Sequence, residues 1–171
     1  MKKIICCVLM LVMLVSMSAC DLGDTVGKET GAGQGGSTVK NETFHLNETA
    51  VFKALKFTAT EIKESQGSTY LQPADGKVFV GVKFTIENVS DEDQVISSLL
   101  LFEAYVDDVK CSQSFTGATA FDSEMLDGTV APGKKLIGWY VMEVPENWSS
   151  IELNVQSGVI SGSSAKFVFT N

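Results

Sequence analysis

Few residues in this chain could carry covalent or metal chemistry. It holds one histidine, four cysteines, 21 carboxylates and 13 basic residues, all of them lysine. A single imidazole cannot build a two-His zinc centre, a blue-copper site or a two-His iron triad. His45 could in principle orient a serine, because serines and aspartates are plentiful. No Gly-x-Ser-x-Gly elbow accompanies it, and it lies in a short segment early in the sequence. Cys111 as a nucleophile would need a neighbouring base, and His45 is the only histidine on offer. The reading for Cys111 is therefore a strand-end thiol, and that for His45 a structural imidazole. No catalytic residue is assigned, and the chain is not expected to be an enzyme.

Two acidic clusters are the candidates for metal: Asp91-Glu92-Asp93, and Asp122, Glu124 and Asp127 followed by Gly128. Calcium takes six to eight oxygens on a shaped loop. The second cluster has the wrong spacing and lacks a distal glutamate, so both read as solvated acidic loops, and no metal or cofactor is expected. Four aromatics fall in or beside turn-rich stretches: Tyr70, Phe115, Phe121 and Trp148. They form a candidate ligand platform, since rings presented on loops can stack on sugars or peptides. Trp139 lies within an apolar run and reads as core. A net charge of −8 without arginine argues against nucleic acid, which requires a cationic surface.

The elements that must carry these residues begin with an address. Lys2 and Lys3 precede an unbroken apolar run from Ile4 to Val15. Twelve residues make a helix of about 18 Å, short of the ~20 residues needed to span a bilayer, so residues 1–19 read as an export signal. Leu14-Val15-Ser16-Met17-Ser18-Ala19-Cys20 resembles the lipobox of bacterial lipoprotein signal peptides, with Met17 at the branched apolar position and Ser18-Ala19 as the small pair. The resemblance implies that Cys20 becomes the lipidated N-terminus, anchored at the extracytoplasmic face of the cell membrane; two acyl chains hold stably where one is marginal. Removal of the signal leaves 11 lysines against 21 acids, a side-chain charge of −10 that repels anionic headgroups. Residues 20–40 contain six glycines and no aromatic, and read as a flexible tether spanning roughly 25 Å as a coil.

From residue 41 to 171 the pattern is that of strands. Val78, Val80, Val82, Phe84 and Ile86 alternate with Lys83, Thr85 and Glu87 on the opposite face, the period-two signature of a half-buried strand. Leu100, Phe102, Ala104 and Val106 repeat it, and Asp107-Asp108 predicts a hairpin turn into Val109-Lys110-Cys111. Further strands are expected over Leu136–Val144, Ile151–Val155 and Lys166–Phe169, and over Val51–Ile62 with a bulge where the phase slips. Short strands with regular punctuation and no sustained helical period mean an all-β sandwich or barrel.

Three stretches carry a family resemblance: Gly76 to Asn88, Val130-Ala131-Pro132-Gly133-Lys134-Lys135, and Gly138 to Pro145. They resemble the central strand, the proline-glycine turn and the penultimate strand of extracytoplasmic immunoglobulin-like domains of unknown function. Such domains are common in lipoproteins of Gram-positive bacteria and similar to a small secreted mycobacterial antigen. The resemblance implies an immunoglobulin-like antiparallel β-sandwich and brings no catalytic residues. In a bacterium the Asn-x-Ser/Thr sequons at Asn41, Asn47, Asn88 and Asn147 would be coincidental.

The expected function is a non-catalytic binding or scaffolding module at the cell envelope, engaging a protein or glycan partner. The segments Ser65–Gly76 and Ser112–Gly128 are the expected contact surface. Two alternatives remain open at this point. One is a hydrolase with a carboxylate or serine centre; the other is a structural envelope protein without a ligand.

Overall fold

The computed structural model describes residues 26–29, 42–121, 125–159 and 163–171. The strands in chain order are β1 (Gly27–Glu29), β2 (Thr43–Phe44), β3 (Thr49–Val51), β4 (Leu55–Ser65), β5 (Lys77–Asn88) and β6 (Gln94–Ser97). A single helical turn, α1 (Ser98–Leu101), leads into β7 (Phe102–Val106) and β8 (Val109–Cys111). A second turn, α2 (Phe115–Ala118), precedes β9 (Asp127–Val130), β10 (Lys135–Pro145), β11 (Ser150–Gln156) and β12 (Ser164–Thr170). One five-stranded sheet has the order β1-β3-β4-β5-β10, and a second has β2-β12-β11-β7-β8. Strands β6 and β9 form a separate two-stranded ribbon. Between named strands the pairing is antiparallel except where β2 joins β12 in parallel. The architecture is the expected immunoglobulin-like β-sandwich.

Sequence periodicity explains the core. Val78, Val80, Val82, Phe84 and Ile86 are all buried on one face of β5, while Lys83, Thr85 and Glu87 are half-buried on the other. Strand β4 pairs with β5 from Leu55↔Asn88 to Ser65↔Phe79, and the expected bulge falls between Ala59 and Glu61. Leu55, Phe57 and Ala59 therefore point inward before it and Ile62 after it. The Asp107-Asp108 hairpin has both residues left-handed, at φ 47° and 66°, the geometry of a two-residue primed turn. Asn88 closes β5 as a buried knot. Its side chain donates to the carbonyls of Glu92 and Val130, both at 2.7 Å, and accepts from the amide and hydroxyl of Ser90.

Three expectations are corrected. Leu100 lies on α1 and is exposed, because that turn shifts the phase and buries Leu101 instead. Val51 ends β3 and is separated from β4 by a tight reversal in which the Phe52 amide donates to the Leu55 carbonyl. Within the expected tether, Gly27–Glu29 pair with β3 as an edge strand. Val26 packs on the core, and Lys28 bonds Glu48 at 2.7 Å while lying 5.7 Å over the Phe44 ring. Backbone pairing plus one ion pair orders a stretch whose composition alone could not.

The outer face of the first sheet is only half solvated. Phe79 and Gly81 on β5, and Trp139 and Val141 on β10, are buried beneath residues 114–121. Met125 adds a parallel bridge to Trp139. The Phe121 ring lies 5.0 Å from that of Trp139. A Cβ on Gly81 would sit 2.6 Å from Phe121 Cε1 and 2.9 Å from Trp139 Cε3, and one on Gly117 would meet the Phe79 ring at 2.6 Å. Absent side chains at these two glycines let the cover close.

Two outcomes follow in stability measurements. Gly81→Ala should cost about 1–3 kcal/mol in denaturant unfolding through overpacking, and Phe121→Ala about 3–5 kcal/mol through a cavity; wild-type stability in both would remove the cover from the account. Docking of β1 should depend on pH. The hydrogen bond from Lys28 holds the Glu48 carboxyl below its ordinary 4.5. The stabilisation is complete above the unfolded value and fades as pH falls through the lowered folded one. Amide-exchange protection of residues 27–29 should thus be lost in acid before β5 opens, and Lys28→Gln should weaken it at neutral pH.

Candidate functional site

The two sheets part along one side of the sandwich. Strand β8 ends the second sheet and β10 ends the first. After Cys111 the chain crosses between them: Gln113 bridges Met142, and the Ser114 amide donates to the Val141 carbonyl at 2.7 Å. Ser114 Oγ then accepts from the Gly117 amide and starts α2. Beyond this crossing, β8 and the last residues of β10 face each other as two arms. Between them lies a cleft of about 700 Å³. Val106, Val109, Val144, Pro145 and Phe115 supply its apolar surface; Lys77, Lys110, Asp107 and Glu143 supply its charge.

Val109 and Phe115 are 69% and 51% exposed. Each arm has a different edge chemistry. The primed hairpin makes Val106 and Val109 the hydrogen-bonded pair, so by alternation the Lys110 N–H and C=O point off the sheet toward the cleft side. On the other arm Pro145 carries no N–H and blunts the β10 edge.

Polar contacts tune the walls. Lys77 Nζ lies 3.7 Å from Glu143, which also accepts from the Ala74 amide at 3.1 Å. The 66–76 loop is thereby tied to the cleft. Lys110 pairs with Glu103, whose carboxyl is held low by that hydrogen bond. Cys111 is half-buried, its Sγ 3.6 Å from the Ser112 carbonyl and 3.8 Å from that of Glu143. Burial pushes its thiol up; Lys77 opposes this and Glu143 adds to it.

The proposed aromatic platform does not assemble. Phe121 is 5% exposed and belongs to the sheet cover; Trp148 is 4% exposed and closes the end of the core. The indole N–H of Trp148 donates to Glu64 at 2.6 Å, a partner 84 residues away. Tyr70 is fully out in solvent on the 66–76 loop and does not line the cleft. Only Phe115 of the four does. The residues that reasoning from sequence missed are Val109, Lys77 and Glu143; an edge hairpin with an apolar outward residue was the available signal for Val109.

Other candidates are accounted for by the structure. His45 Nδ1 is 3.3 Å from the Val168 carbonyl, at the opposite edge of the second sheet from Cys111. Asp127 accepts from the amide and hydroxyl of buried Ser98. Asp122 and Glu124 lie outside the described residues, as does Cys20. Among the described residues no group of three or more His, Cys, Asp or Glu could hold a metal ion. None of the described helices is long and apolar enough to cross a membrane.

Several solved structures share this arrangement of strands. The Bacillus subtilis yjhA protein aligns over 72% of this chain and 99% of its own, at 17% identity and a TM-score of 0.56. The B. subtilis protein ycdA, a candidate lipoprotein, aligns over 68% of this chain at 17% identity and a TM-score of 0.56. This chain spans only 36% of that protein's length. A candidate lipoprotein of Staphylococcus aureus aligns over 71% of this chain and 87% of its own, at 15% identity and a TM-score of 0.51. At these identities the likeness is one of fold. No curated protein matches the sequence. Residues 44–166 match the model of a domain of unknown function, DUF4352, and the chain belongs to that family.

Proposed function

We propose that this protein is a lipid-anchored extracytoplasmic binding module that holds an extended polypeptide segment of a partner in the cleft between β8 and β10. The anchor reading rests on the lipobox-like run ending at Cys20. It gains support from similarity of fold to two candidate lipoproteins.

One observation carries the binding reading: the cleft joins an unblunted strand edge to exposed apolar side chains. An extended peptide can add to β8 through main-chain hydrogen bonds at Lys110, with its alternate side chains against Val109 and Phe115. A glycan fits this surface less well. Sugar sites rely on stacked rings, and two of the four candidate aromatics are buried. Catalysis by the Cys111 thiol finds little support: burial raises its pKa, and His45 is on the far edge of the sheet.

The test is selection of displayed random decapeptides against the purified protein, with Lys110→Pro and Lys110→Ala as paired variants. Proline removes only the N–H that faces away from β7, so folding should persist. Selected peptides should protect amides 109–111 from exchange and bind Lys110→Pro at least tenfold more weakly than Lys110→Ala. Peptides that bind both variants equally, or binding only to oligosaccharides in a parallel glycan screen, would overturn the reading.

A further inference from the structure

The tether is much shorter than composition suggests, and this fixes which end of the domain can meet a membrane. Gly27 pairs with Val51, Val51 with Lys56, Lys56 with Glu87, and Glu87 with Lys135. The chain therefore enters the sandwich at the end marked by the Ala131–Lys134 turn and the Asn88 knot. The cleft lies at the other end, where Pro145 pairs with Lys77 and the Asp107-Asp108 turn projects. Strand β5 runs the full distance with 12 residues, about 36 Å at roughly 3.3 Å per residue.

We infer that the Lys134 end faces the bilayer and that the cleft opens away from it, toward partners outside the membrane. This rests on the anchor at Cys20. Six residues, Asp21 to Val26, separate Cys20 from β1. Fully extended, a link of this length reaches at most about 25 Å. Bringing the cleft to the headgroups would lift Gly27 by the length of the sheet, beyond that reach. Inversion is excluded by length alone. The charge on the mature chain disfavours lying flat, because 21 acids against 11 lysines repel anionic lipid.

The observations also constrain the partner. A segment captured in the cleft comes from a soluble or wall-side protein with an accessible extended stretch. A stretch embedded in the same bilayer, or its headgroups, would lie at the wrong end.

The inference can be read out by energy transfer on the lipidated full-length product, purified from membranes and reconstituted into vesicles of phosphatidylglycerol and phosphatidylethanolamine. A donor is placed at Lys134→Cys or at Glu146→Cys, each in a Cys111→Ser background, with acceptor-labelled headgroups. Transfer from position 134 should exceed that from 146 several-fold. Equal transfer, or more from 146, would overturn the orientation while leaving the anchor intact. Protein that stays in solution would overturn the anchor and the orientation together. A control with Lys28→Gln, which loosens β1 and lengthens the free link, should narrow the difference between the two positions.

Discussion

The sandwich depends on the ring of Phe84. It stands at the middle of β5, flanked by β4 and β10, and meets two strands of the opposite sheet at once. Its centroid lies 5.2 Å from Phe102 on β7 and 5.2 Å from Phe167 on β12, with interplanar angles of 72° and 88°. Phe102 in turn stacks on Tyr140 at 5.2 Å and meets Phe57 edge-on. Phe44 leans on Phe167 and carries β2 into place. Such edge-to-face contacts add about 0.5–1.5 kcal/mol each beyond the area they bury. Burial pushes the Tyr140 hydroxyl up to about 12, so it stays neutral within the seam. A domain of this size can be held by such a core without disulfides.

Because the seam fixes both sheets, the connections between them decide what the surface can do. The link after β8 must travel from one sheet to the other. It does so by bridging β10 at Met142 and folding over the outer face of the first sheet. That path has two consequences. It consumes Phe121 as a cover for Trp139, and it leaves the cleft lined by β8 and the end of β10. Edge strands are hazards that folds normally blunt. Here Pro145 blunts one arm, while β8 keeps Val109 and its outward backbone groups. An edge left open beside a cleft is the kind of local inconsistency expected where a partner completes the structure.

Local signals were legible in the sequence and distant ones were not. The alternation of β5, the bulge after Ala59 and the Asp107-Asp108 hairpin depend on neighbouring residues, and each appears where its pattern places it. Leu100 was misphased because Ser98-Leu99-Leu100-Leu101 fits either a strand or one helical turn. The β7–β11 pairing, which starts at Phe102, decides between them. Strand β1 was hidden by averaging over a glycine-rich stretch; its pairing uses backbone groups that composition does not report. Trp148 looked like a loop aromatic because Glu64, which bonds its indole, is remote in sequence. Phe121 did leave a trace. A glycine at position 81, amid seven apolar or β-branched residues of β5, marks close approach of another group, and that group is its ring.

Electrostatics in the cleft leave the Cys111 thiol unactivated. A thiol becomes a nucleophile when a cation or base lowers its pKa. Lys77 is the cation nearest in effect to Cys111, but its ammonium is shared with Glu143, whose charge acts on the thiol in the opposite sense. Burial outweighs both and keeps the sulfur protonated. The same ion pair has a use in binding. It joins the start of β5 to the end of β10, and through Ala74 to the 66–76 loop, so the floor on which a segment would lie is fixed before it arrives. A wall held in place beforehand spends less conformational entropy on association. On the proposed reading, that advantage serves the capture of a flexible strand.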